Sequence, residues 1–191
     1  MMLNPIALAL LPLFASVQTG SDVRLAQTLD AFDRQCATLD SIEGLDARAT
    51  AAGWEAFTPE EDSAAGRLLG VTLGAAEDSG ATLKTGTLRN ADVEGRVLFL
   101  AQVVASNGAG SVECRLLDES TVQPPAAEPL IEWAGRAPRE RTLPSGATSW
   151  FWSGGVHGEA NFTVVLFVEP GTSAARAGTG LQVVAARMTN P

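Results

Sequence analysis

His157 is the one histidine of this 191-residue chain, so nucleophilic catalysis of the Ser/His/Asp type would have to use it as the base. It lies in Gly154-Gly155-Val156-His157-Gly158, a glycine-flanked turn between two apolar stretches, and such turns carry active-site residues in many enzymes. No Gly-x-Ser-x-Gly elbow accompanies it. A periplasmic hydrolase using His157 is therefore the alternative reading, and an exposed turn histidine is the expectation. Metal sites need several converging His, Cys, Asp or Glu ligands. With one histidine, two cysteines and no Asp-x-Asp-x-Asp loop, the sequence predicts no metal. Neither a Walker glycine loop nor Gly-x-Gly-x-x-Gly is present, and no cofactor is expected. The 22 acidic residues allow so many carboxylate pairs that spacing does not single out a paired-carboxylate hydrolase.

Trp150-Phe151-Trp152 is the most unusual local feature, because in a strand both indoles project from one face and Phe151 from the other. Exposed, Trp150 and Trp152 would form a platform for a sugar or peptide, which makes them the candidate ligand-binding residues. Buried, they fill core, and burial of at least one is the expectation. Arg136, Arg139 and Arg141 cluster around Glu140 and could hold an anion, although a solvated loop with local ion pairs is the simpler expectation.

These residues must be positioned by elements that the hydrophobic pattern defines. Leu25, Leu29, Phe32, Cys36 and Leu39 recur at steps of four and three, which predicts a helix starting near Ser21 with Cys36 in its buried stripe. A short helix over 45–52 capped by Gly53 follows, then a helix opened by Thr58-Pro59-Glu60-Glu61 and ending at Gly70. After a Gly/Ser-rich stretch the character changes. Residues 96–105 are apolar on both faces, as in a central strand, and Asn107-Gly108 favours a hairpin into 111–117. There Val112, Cys114 and Leu116 alternate toward the core, and a weaker strand over 82–89 completes a meander.

A proline-rich connector at 122–129 leads to a short helix over 130–137 and a polar loop over 138–146. Strands over 147–153, 160–168 and 181–188 follow. Helix then three strands thus occurs on either side of the connector, without residue-level similarity. The expected architecture is α+β: N-terminal helices packed on a mainly antiparallel sheet of about five to six strands.

Both cysteines fall on core-facing positions, one on the first helix and one on the central hairpin, which predicts a Cys36–Cys114 disulfide. Redox chemistry would normally place them as Cys-x-x-Cys, so the role is structural. Closing a loop of about 78 residues is worth roughly 4.5 kcal/mol in a chain-entropy treatment.

Hydrophobic content of 46% with 18% charged residues is that of an ordinary globular chain, expected here as a single domain over 21–191. Residues 1–20 read as a signal peptide: the apolar run from residue 6 to 17 is shorter than the ~20 residues a membrane span needs. Residues 21–191 hold no such span. With 13 basic against 22 acidic residues the formal charge is −9, which opposes nucleic acid and anionic lipid. One lysine, no tyrosine and many alanines suggest a GC-rich bacterial genome. The combined expectation is a bacterial protein of the periplasm or exterior, a non-catalytic binding or envelope-accessory domain for a protein, peptide or glycan. Its candidate surface is the sheet face or edge near Trp150, Trp152 and the following turn.

Overall fold

The computed structural model describes residues 20–78, 80–90, 95–105, 108–157 and 160–189. The expected signal peptide, apart from Gly20, and the turn residue Asn107 lie outside the described residues.

Helix α1 (Gly20–Cys36) buries the stripe that its spacing predicts, Leu25, Leu29, Phe32 and Cys36. Ser41 caps α2 (Ile42–Ala51) by accepting a hydrogen bond on Oγ from the Gly44 amide, 3.1 Å away. The two-residue strand β1 (Glu55–Ala56) precedes α3 (Ala64–Asp78). Helix α3 departs from expectation at both ends. Ser63 rather than Thr58 opens it, its Oγ accepting from Gly66 N at 3.0 Å. The Glu60 carbonyl lies where a Cβ on Gly66 would come within 2.1 Å, so the preceding chain folds back across the first turn and cannot extend the helix. Gly70 does not cap it, because its φ is not positive and the buried positions continue from Leu68 to Ala76.

Strands β2 (Ala81–Asn90), β3 (Arg96–Ala105) and β4 (Gly110–Asp118) form the first meander. Helix α4 (Ala127–Ala134), closed by Gly135 at φ +66°, begins the return. Strands β5 (Arg139–Leu143), β6 (Ala147–Ser153), β7 (Phe162–Val168) and β8 (Gly180–Thr189) make the second meander. Among the described residues the sheet has eight strands in the order β1-β2-β3-β4-β8-β7-β6-β5, every pair antiparallel. The fold is α+β, with β1 and β5 added to the strands that the sequence predicts.

Two cores flank this sheet. On the inner face Leu98, Leu100, Cys114, Leu116, Val165 and Val183 pack against the stripe of α1, against α2 and against Leu130 of α4. On the outer face Val97, Phe99, Ala101 and Leu117 pack under Ala64, Ala65 and Leu68 of α3. This second cluster takes in no residue of β5 to β8; on the outer face of the second meander Gln182, Val184 and Ala186 of β8 are buried, Phe162, Val164 and Leu166 of β7 are half-buried, and Phe151 and Met188 are exposed.

Two devices tie α1 to the sheet. The disulfide Cys36–Cys114 is formed, with Cα atoms 5.5 Å apart. At the far end of β4 the fully buried Asp118 accepts from Arg24 Nη2 at 2.7 Å, Thr28 Oγ1 at 2.9 Å and Ser120 Oγ at 2.8 Å, with Arg96 Nε 3.7 Å away. Burial pushes the Asp118 carboxyl upward, but the bonds from Arg24, Ser120 and Thr28 outweigh it and hold the group below the usual carboxylate range.

Candidate functional site

His157 sits in a turn that is tied down rather than loose. Beyond β6, Gly154 (φ +79°) and Gly155 (φ +70°) turn the chain through a conformation that side-chain-bearing residues rarely adopt. Gly154 N donates to Asn161 O at 2.8 Å, and Val156 N to Thr163 Oγ1 at 3.0 Å. The Arg136 guanidinium, just past α4, donates to the carbonyls of Ser153 and Gly155. The imidazole is thereby brought to α1, with Nε2 3.0 Å from Asp33 Oδ1.

Asp33 joins three elements. Its Oδ2 accepts from Trp133 Nε1 of α4 at 2.8 Å, and the Trp133 ring stands edge-to-face with His157, Phe32 and Trp152. Nε2 and Oδ1 are shielded from solvent and lie within ion-pair distance, but they are not aligned as a hydrogen bond. Among the described residues no hydroxyl hydrogen-bonds to the imidazole, so the acid of a triad is at hand and the nucleophile is not.

Burial pushes the Asp33 carboxyl up, and the Trp133 bond and the His157 charge only partly reverse this, leaving it above its ordinary value. The folded state thus holds this proton more tightly than the unfolded chain, and the stabilisation it gives fades as pH rises through the folded value. Asp33→Asn, which keeps an acceptor for Trp133, is expected to leave stability at pH 7 within about 1 kcal/mol of the parent, on the stabilising side. Chemical denaturation checks this: a loss above about 2 kcal/mol would mean that the fold needs the charge.

A groove of about 420 Å³ runs between α1 and α4, lined by Leu25, Leu29, Asp30, Asp33, Glu132 and Trp133. Another, of about 470 Å³, lies between the start of α1 and the connector at Gln123, Pro124 and Pro125. No group of three or more His, Cys, Asp or Glu converges for a metal ion among the described residues.

The aromatic strand faces the opposite way from a ligand platform. Trp150 and Trp152 are 2% and 1% exposed, on the face that α1 and α4 cover, and Trp152 Nε1 donates to the Arg136 carbonyl at 3.1 Å. Neither indole offers a face to a ligand: the helix stripe claims that side of β6. Phe151, on the other side, is 37% exposed and stacks on Phe162 with ring centroids 6.0 Å apart.

The arginine cluster, expected in a polar loop, is largely strand β5. Arg139 pairs with Phe151 and Arg141 with Ser149, and directly paired residues share a face, so both arginines stand on the outer side beside Phe151. Glu140 pairs with Trp150 and faces inward, away from its neighbours. Among the described residues the local ion pairs with Glu140 do not form, and neither Arg139 nor Arg141 has another ion pair. Strand alternation separates what sequence proximity suggests is paired. Sequence reasoning also passes over Asp33 and Trp133, which are 100 residues apart and meet only through the packing of α1 on α4.

No family model, curated protein or solved structure matches this chain.

Proposed function

We propose that this protein is a non-catalytic binding domain, exported by a bacterium to the periplasm or beyond, that meets its partner on the outer face of β6 and β7. The stacked pair of exposed Phe151 and half-buried Phe162 carries this reading. It lies outside the apolar cluster that α3 forms with the first meander, and an exposed aromatic side chain costs solvation unless something covers it. The disulfide suits an oxidising compartment, and among the described residues no helix is long and apolar enough to cross a membrane. A photo-crosslinking residue placed at Phe151 in the cell that makes the protein is expected to give a discrete adduct. Crosslinks no different from those of the same residue at exposed Thr50 on α2 would overturn the proposal.

The 3.0 Å approach of His157 to Asp33 favours a second reading, a hydrolase with His157 as base. A fluorophosphonate probe tests it. Labelling that disappears in His157→Ala would support the hydrolase, and an unlabelled parent protein removes it.

A further inference from the structure

Resting on the outer-face reading, we infer that β5 is a strand-addition edge that recruits an extended acidic segment of a partner protein. The sheet ends at β5, whose one flank is bonded to β6 from Arg139 opposite Phe151 to Leu143 opposite Ala147. Its other flank pairs with no strand among the described residues, so its outward backbone donors and acceptors are a ready template for another chain. Pro138 and Pro144, which have no amide hydrogen, bracket the strand and limit the template to the residues between them.

Charge decides which segment fits. The chain carries 22 acidic residues against 13 basic ones, yet Arg139 and Arg141 are exposed and without an ion pair among the described residues. Both project from the outer face, next to the exposed Phe151. A strand laid along β5 would put every second residue on that face, its Cβ atoms about 5 Å from those of the arginines. Glutamates or aspartates at alternate positions would meet both guanidiniums in charge-assisted hydrogen bonds.

The same residues oppose a second copy. Two β5 strands paired antiparallel about a twofold axis place residues of the same face opposite each other. One register then sets Arg141 against Arg141, and the next sets Arg139 against Arg141 and Glu140 against Glu140. Like charges directly opposite destabilise a strand pair. The register centred on Thr142 avoids this but runs into Pro144 after one residue on either side. The edge is thus guarded against itself and open to acid.

The test titrates isotope-labelled protein with the peptide Val-Glu-Thr-Glu-Thr-Glu-Val and follows backbone amide resonances. Saturable shifts confined to β5 and the adjoining part of β6 are expected, with binding weakened about tenfold or more when glutamine replaces glutamate. The double variant R139E/R141E should lose the acidic peptide and gain its lysine counterpart. No saturable binding, equal binding of the glutamine peptide, or shifts centred elsewhere would overturn the inference, as would binding of phosphatidylglycerol vesicles in place of the peptide. Failure here is separable from failure of the outer-face reading. Crosslinks at Phe151 that persist in R139E/R141E leave that reading standing, while their absence from the parent protein removes both.

Discussion

Replacing Cys36 and Cys114 together by alanine is expected to lower the free energy of unfolding by about 4 to 5 kcal/mol and the melting temperature by roughly 8–20 °C. The bond joins the last residue of α1 to the middle of β4 across 78 residues of sequence. A cross-link of that span removes many conformations from the unfolded chain, and the penalty for losing it grows with the loop. Cys36 and Cys114 are 1% and 0% exposed, so the alanines also leave a small apolar gap under the helix. Denaturant titration of the double variant against the oxidised parent measures the loss. Reduction of the parent should reproduce most of it, and a difference below about 1 kcal/mol would show that α1 stays on the sheet through packing alone.

Asp118→Asn is expected to cost about 3 to 5 kcal/mol, because it removes the one opposite charge paired with Arg96 among the described residues, Arg96 being itself 6% exposed, and one of the anchors of Arg24. The pH dependence separates this carboxylate from Asp33. With the folded value of Asp118 depressed, its contribution is complete above the unfolded value of about 3.9 and disappears as pH falls through the folded value. The parent should therefore lose stability below about pH 4 more steeply than Asp118→Asn does. Asp33 runs the other way, since its raised value means that protonation favours the fold. Parallel acid titrations of the parent and Asp118→Asn, followed by unfolding at each pH, would refute the assignment if their slopes coincide.

How much of this was legible in the sequence follows from the physics of each element. The stripe Leu25, Leu29, Phe32, Cys36 and the alternation Val112, Cys114, Leu116 are strong because each element buries one face, and burial writes a period of 3.6 or 2 into the chain. That is enough to bring the two sulfurs together. Strand β5 is different, since four of its five residues are exposed and Leu143 is its one apolar side chain. An edge strand buries too little to leave a period, so Arg139, Glu140 and Arg141 read as loop. For Trp150 and Trp152 the alternation shows that both share a face, but which face the helices cover is decided by long-range packing. The Asp33, Trp133 and His157 contacts join the first helix, the fourth and a late turn. No local pattern marks such a meeting, apart from the glycines that free the turn at Gly154 and Gly155.

The strand order has a consequence for how the molecule is made. Strand β8 is synthesised after every other described strand, yet it lies in the interior of the sheet between β4 and β7. Until it arrives, the two meanders are separate half-sheets, each with an unzipped inner margin of hydrogen-bonding backbone. A chain synthesised from its amino terminus exposes the bare flank of β4 for as long as residues 119–179 take to emerge, a window in which chaperones and misassembly compete for it. The closing step is then a zipper of distant segments, which predicts slow, late consolidation of the sheet's centre.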